Sequence, residues 1–418
     1  QHVERVTAGA RMFYVRRGNV PPKRHTQHRA PDGSLYAEEL FGVEGFTGRS
    51  SLLYHLVPPT RTHKVERGRT ITLEAADDAT QRHHLIKTGA LEPKGDVISG
   101  RVPLFFNGDV VVGVARPAEP MPAGTFYRNS EADEMFFVHE GSGVFDSVFG
   151  ALPYGPGDYL VIPIGTTWRL DPDADSPQRF LWLESFSNLE PPRRYRNEYG
   201  QLLEHSPYHQ RDLRPPDDTP PRNETGEYTV EVKIRGRTTL YHYRQHPFDV
   251  VGWDGYLYPF AFNIGDFEPI TGRVHQPPPV HQTFQGRNLV VCSFVPRMFD
   301  YHPLAIPAPY NHSNINSDEV IYYVAGNFMS RRGVEISSFT LHPAGIPHGP
   351  HPGTVEASIG KEATEELAVM VDTFRPLNLT RQAADLDDER YPYSWLPPED
   401  ADAEAARLSE RGPEAFPD

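Results

Sequence analysis

The chain has 418 residues, 41 basic and 56 acidic side chains, a net charge of −15 and a single cysteine. That balance excludes a general nucleic-acid or anionic-membrane binder, and one cysteine excludes an internal disulfide, which points to a reducing compartment. Proline and glycine together make 76 of 418 residues, about 18% against roughly 12% in average usage. So many breakers exclude a helical bundle or coiled coil, while 20 Tyr, 23 Phe and 4 Trp supply enough buriable surface to argue against disorder.

Residues 1–95 read as a loop-rich N-terminal arm, with turn residues at Pro21-Pro-Lys-Arg-His25 and Pro31-Asp-Gly-Ser. The start, Gln1-His-Val-Glu-Arg-Val, shows no apolar leader, and no run of 18 apolar residues follows, so the expected setting is cytoplasmic with no membrane contact. Residues 96–190 read as strands, from apolar runs such as Phe136-Phe-Val138, Tyr159-Leu-Val-Ile162 and Arg179-Phe-Leu-Trp-Leu183 bounded by Gly and Pro. Residues 191–226 are a polar, proline-rich connector. A second strand-rich segment covers 227–376, and its run Leu289-Val-Val-Cys292-Ser-Phe294 makes Cys292 a small core residue. Residues 377–418 form an acidic tail, expected to be solvated, with a short helix around Asp400-Ala-Asp-Ala-Glu-Ala-Ala-Arg407.

The two strand-rich segments repeat each other. Glu134-Met-Phe-Phe-Val-His-Glu-Gly141 matches Glu319-Val-Ile-Tyr-Tyr-Val-Ala-Gly326 at an offset of 185, both reading Glu-x6-Gly. Downstream, Pro163-Ile-Gly165-Thr-Thr-Trp168 matches Pro343-Ala-Gly345-Ile-Pro-His348 at an offset of 180. Two elements recurring in order predict an all-β chain built from a duplicated β-barrel.

The second repeat carries the chemistry. Pro-x-Gly makes a tight turn, and the side chain three residues on, His348, points into a barrel mouth. With His312 and Glu319, it supplies two imidazoles and one carboxylate, a facial set that suits non-haem Fe(II); Mn and Zn are chemically possible. The first repeat has Tyr127, Asn129, Glu134 and Trp168 where the second has His312, Asn314, Glu319 and His348, so the first barrel is expected to hold no such metal.

These motifs resemble those of the cupins, and the duplication resembles a bicupin. More narrowly, Leu341-His342-Pro-Ala-Gly-Ile-Pro347-His348-Gly349-Pro350 is similar to the iron-site signature of homogentisate 1,2-dioxygenases. Pro309-Tyr310-Asn-His312-Ser-Asn314, His246-Pro-Phe-Asp-Val-Val-Gly-Trp253 and Leu35-Tyr36-Ala-Glu-Glu-Leu40 resemble other segments of that family. The resemblance implies two jelly-roll-like barrels, the first (96–190) degenerate and metal-free, the second (227–376) catalytic. It implies Fe(II) on His312, Glu319 and His348, with Asp318 as the alternative carboxylate; the Glu-x6-Gly match favours Glu319. It implies a catalytic base at His275, with His281 as the alternative, and a second active-site histidine, His342, near the substrate. Asn314 and Tyr323 fall among the implied substrate contacts. The implied partners are a small aromatic substrate and O2, in a homo-oligomer.

Two departures from the family pattern stand out. Phe328 replaces a tyrosine that contacts a substrate hydroxyl, and a phenyl ring cannot donate that bond; Tyr322 or Tyr323 is the candidate replacement. The stretch between His275 and His312 is shorter. Arg331 and Arg332 are candidates for pairing with a substrate carboxylate. The reading that follows is an Fe(II)-dependent dioxygenase that opens the ring of homogentisate or a close hydroquinone, in tyrosine and aromatic catabolism. The alternatives are an oxygenase or isomerase for a different aromatic metabolite, and a non-enzymatic bicupin binding protein.

Overall fold

The computed structural model describes residues 14–77, 80–328 and 333–410. Strands dominate, as the turn-rich composition predicts, and the chain divides into two compact units. The first comprises residues 1–73, 93–102 and 112–266, and the second 74–92, 103–111 and 267–418.

In the first unit, the strands Leu213–Arg214, Phe260–Asn263, Asp158–Ile162, Asp133–Glu140 and Arg179–Ser185 lie side by side. A second sheet runs Gly150–Tyr154, Gly143–Ser147, Thr167–Pro172, Thr125–Asn129, Thr225–Ile234, Arg237–Gln245 and Lys64–Thr70. The side chains of Asp133–Glu140 and Arg179–Ser185 are buried almost throughout, which explains why these strands read as continuous apolar runs. In the second unit one sheet runs Gln282–Gly286, Leu289–Phe294, Leu367–Thr373, Asp318–Ala325, Ser338–His342 and His84–Lys87. Cys292 is buried in it among Ile321, Tyr323, Phe328 and Met370, as its apolar surroundings predict.

The duplication is written in the backbone. Both Glu-x6-Gly glycines are left-handed, φ 99° at Gly141 and 93° at Gly326. A Cβ on Gly326 would meet the Glu365 carbonyl at 2.4 Å, so only glycine fits there. The Gly165 amide donates to the Asn129 carbonyl at 2.7 Å, and the Gly345 amide to that of Asn314 at 2.8 Å. Asp133 accepts from the Ile164 amide, and Asp318 from the Ala344 amide, both at 2.8 Å. The aspartate before each repeat's glutamate therefore pins its Pro-x-Gly turn.

Three boundaries differ from the sequence reading. Residues 227–266 belong to the first unit, not to the barrel of 227–376. Thr225–Ile234 pairs in parallel with Thr125–Asn129, and Val250–Gly255 pairs with Ser50–His55. A strand edge left open needs a partner for its backbone groups, and that partner need not be near in sequence. The arm of 1–95 is not merely loop: its strand His84–Lys87 borders Ser338–His342 in the second unit. The acidic tail is also partly folded. Asn378–Leu379 pairs with Phe105 and Phe106, and Asp387 is buried against His84 at 2.7 Å and Arg82 at 2.8 Å. Its predicted helix is present as Pro398–Glu410.

Candidate metal centre

His312 and His348 face each other in a two-residue antiparallel bridge, with amide-to-carbonyl distances of 2.8 and 2.9 Å. The pairing sets their rings 4.3 Å apart. Glu319 enters from the strand Asp318–Ala325, its carboxylate 3.8 Å from His312 Nε2 and 3.5 Å from His348 Nε2. Ligand atoms from all three lie within 4.8 Å of one another, and no other such group of metal-ligating side chains occurs among the described residues. Strand alternation sends Asp318 to the other face, where it accepts from the Ala344 and Leu377 amides. Of the two carboxylates, Glu319 is the one grouped with the histidines.

The residues fit a divalent cation. His312 Nδ1 lies 3.1 Å from the Tyr310 carbonyl, and His348 Nδ1 lies 3.2 Å from that of Ile346. A carbonyl only accepts, so each Nδ1 carries a proton, and each Nε2 is turned toward Glu319, where its lone pair serves a cation that displaces any proton there. His348 Nε2 is buried without a hydrogen-bond partner. Burial pushes the Glu319 carboxyl up, but His312, His342 and His348 outweigh it and hold the group well below the usual carboxylate range.

A second carboxylate stands opposite. Asp372 pairs in register with Glu319, and burial with the Glu319 charge pushes it well above its ordinary value. The first repeat has the same pair, Glu134 opposite Glu184, but supplies its own cations. Arg101 Nη1 is 2.7 Å from Glu134, Lys233 Nζ is 2.7 Å from Glu184, and the Arg101 guanidinium lies 5.1 Å from the Tyr127 ring centroid. Tyr127 thus sits beside an organic cation, and Trp168 packs on Tyr127 with ring centroids 5.4 Å apart, where the second repeat has two imidazoles. Near Glu319 and Asp372 the described residues place no lysine or arginine in ion-pairing contact.

A cavity of about 440 Å3 lies between these strands, with His312 and Glu319 among its lining residues. Glu319, Ile321 and Tyr323 line one wall, and Asp372, Met370 and Ala368 line another, each set two residues apart as pleating requires. Phe328 also lines it, its ring 4.5 Å from that of Tyr323. Asn314 borders the cavity beside His312. His275 and His281 both reach it, in different states. His275 is exposed, with Nδ1 3.6 Å from Asp300. His281 is buried, and desolvation with nearby Arg297 and His275 lowers its pKa to about 3.

Residues 15–264 match the family described as homogentisate 1,2-dioxygenase N-terminal. The chain belongs to the homogentisate 1,2-dioxygenase family. It is 45% identical to a Saccharolobus solfataricus protein named as a dioxygenase, over 92% of this chain and 99% of that one. It is 25% identical to homogentisate 1,2-dioxygenase of Mus musculus over 91% of this chain and 92% of the relative, and 26% identical to that of Bradyrhizobium diazoefficiens over 88% and 87%. The chain is accordingly an oxygenase, which sets the non-enzymatic binding reading aside.

Within this family frame, one predicted residue sits elsewhere. His342 is not on the cavity wall. It is fully buried behind Glu319, with Nδ1 2.8 Å from Glu319 Oε1 and Nε2 3.1 Å from the Tyr391 hydroxyl. Register explains this: His342 pairs directly opposite Glu319 on the neighbouring strand. Tyr322 is buried against Phe339, and the Tyr323 hydroxyl is 2.9 Å from Thr340 Oγ1, so its phenol is already engaged. Arg331 and Arg332 lie outside the described residues; Arg297 is a cavity arginine that the sequence reading missed, paired with Glu366 at 3.0 Å. Asp372 was missed too, although Phe180-Leu-Trp-Leu-Glu184 and Ala368-Val-Met-Val-Asp372 share a pattern of four apolar residues and an acid. No helix among the described residues is long and apolar enough to cross a membrane.

Proposed function

We propose that the chain is an Fe(II)-dependent dioxygenase that opens the ring of homogentisate or a close hydroquinone with O2. The observation that carries this reading is the cluster of His312, Glu319 and His348 at the end of an apolar cavity, facing a carboxylate pair without an organic counter-ion. A metal ion held there would supply a Lewis acid and a path for electrons between the aromatic substrate and O2.

The chain's own residues perform the rest. Ile321, Met370 and Phe328 pack the substrate ring and keep water from it. His275 is the base: Asp300 stands 3.6 Å from its Nδ1, and its Nε2 accepts the proton of a ring hydroxyl. His281 is the weaker candidate, because a pKa near 3 makes it a poor proton acceptor. Tyr310, with its ring 5.1 Å from that of His275, walls the same end of the cavity.

Anaerobic loading with Fe(II), followed by O2 uptake with homogentisate and product mass, tests the proposal. Uptake with a product heavier by two oxygen atoms is expected. Absence of uptake across a panel of hydroquinones sinks it. A second reading, a different aromatic substrate, is favoured by Phe328, which offers no hydroxyl on a wall where the Tyr323 phenol is already engaged. A panel in which homogentisate is turned over slowly and another dihydroxy aromatic fast would select that reading.

A further inference from the structure

We propose that Tyr391, from the segment read as an acidic tail, is a positioning residue for the metal carboxylate and acts through His342. The inference rests on the reading of His312, Glu319 and His348 as a metal site.

An ionised carboxylate can only accept a hydrogen bond. The 2.8 Å contact between His342 Nδ1 and Glu319 Oε1 therefore has the imidazole as donor. In a neutral imidazole the other ring nitrogen is then an acceptor, and the Tyr391 hydroxyl, 3.1 Å from Nε2, is the group that donates to it. The bonds run in one direction, from Tyr391 to His342 to Glu319. Oε1 is also the oxygen 3.5 Å from His348 Nε2, so this relay holds the carboxylate oxygen nearest a second ligand. Partners of this kind fix the orientation of ligands and tune the metal.

Three further observations argue for a built device. The first repeat, which has no ligand histidines, has Ile162 opposite Glu134 where the second has His342 opposite Glu319. The segment bearing Tyr391 is anchored on both sides of that residue. Asp387 accepts from the Leu85 amide at 3.1 Å, and Trp395 Nε1 donates to the carbonyl of Gly349, the residue after His348, at 3.0 Å. Ser394 Oγ lies 3.0 Å from His351 Nε2 as well. Finally, a phenylalanine would fill the same space, so the hydroxyl is the feature that packing alone does not require.

The test is Tyr391→Phe, titrated with Fe(II) under anaerobic conditions against a competing chelator, together with the visible absorption spectrum of the Co(II)-loaded protein. About tenfold weaker Fe(II) binding and shifted Co(II) bands are expected. Wild-type affinity and an unchanged spectrum overturn the proposal, whatever happens to the melting temperature of the apoprotein. A wild-type protein that takes up neither ion refutes the metal reading instead. Should Tyr391→Phe fail to fold, 15N-histidine NMR of the Zn(II)-loaded wild type decides: a proton on His342 Nδ1 and none on Nε2 is expected, and a proton on Nε2 overturns the relay.

Discussion

Arg101 Nη1 lies 2.7 Å from Glu134 Oε1, and Glu134 holds in the first repeat the place that Glu319 holds in the second. The Arg101 side chain is 8% exposed, and its guanidinium lies 4.6 Å from the Trp182 ring centroid. One unit thus neutralises its buried carboxylates with a guanidinium and an ammonium fixed in the chain. The other has two imidazoles in the same place and, among the described residues, no lysine or arginine in ion-pairing contact.

Replacing Arg101 with methionine should therefore destabilise the first unit strongly. Removing one partner of a buried ion pair leaves the other charge uncompensated, at a cost of about 3–5 kcal/mol. Urea unfolding measures this, while metal content per folded chain should stay at the wild-type value. A loss below about 1 kcal/mol would mean that the guanidinium is not the counter-ion of Glu134 and Glu184.

Adjacent carboxylates in the second repeat should separate cleanly. Glu319→Gln is expected to abolish Fe(II) retention in metal analysis, since it removes a charged ligand. Asp318→Asn should retain the metal and instead lower stability by about 1–3 kcal/mol, because Asp318 accepts from the Ala344 and Leu377 amides in a buried turn. The opposite assignment of effects would return Asp318 to the ligand set.

For the two cavity histidines, steady-state kinetics gives the comparison. His275→Asn is expected to lower kcat/KM by about 10²–10⁴-fold, the usual worth of a positioned base. His281→Asn should remain within about tenfold of wild type. Equal losses would leave the base unassigned to either ring.

Phe328→Tyr restores a hydroxyl to the cavity wall. With homogentisate, one added neutral hydrogen bond of about 0.5–1.5 kcal/mol would raise kcat/KM by roughly two- to tenfold. A decrease would show that the native substrate has no hydroxyl at that wall.

The first unit also contains a titrating core group. His55 is buried between Asp249 at 2.7 Å and Glu39 at 2.9 Å. Burial opposes its charge, but the bonds to both carboxylates outweigh this and raise its pKa to about 9. A group whose folded pKa exceeds its unfolded value, near 6.5, stabilises fully below that value and loses its contribution as pH rises through 9. Unfolding free energy should fall by on the order of 3 kcal/mol between pH 6 and pH 9.5, and His55→Gln should flatten that slope. A wild-type profile that is level or rising over this window would contradict the charged pairing.

Local patterning made much of the site legible. The alternation within Glu319-Val-Ile-Tyr-Tyr, the glycine at 326 and the Pro-x-Gly turn before His348 are short-range features, each dictated by backbone geometry within a few residues. They were enough to identify the three candidate ligands and the empty equivalents Tyr127 and Trp168. His342 was legible as a residue of the same motif but not in its role. Its distance from the cavity follows from lying opposite Glu319 across two strands, and sequence spacing does not report that register.

The sequence by itself determined the all-β class, the duplication, the carboxylate and the two histidines, because turns and pleats are set by neighbouring residues. The tertiary structure decided which unit received residues 227–266, that Asp372 faces Glu319, that Asp300 stands beside His275, and that Tyr391 returns from the tail to His342. These pairings join residues 25 apart, as His275 and Asp300 are, up to 204 apart, as Gly255 and Ser51 are, so separation does not predict them. They depend on which strand edges and which buried polar atoms remain unpaired once the local elements have formed, and only the assembled fold specifies that.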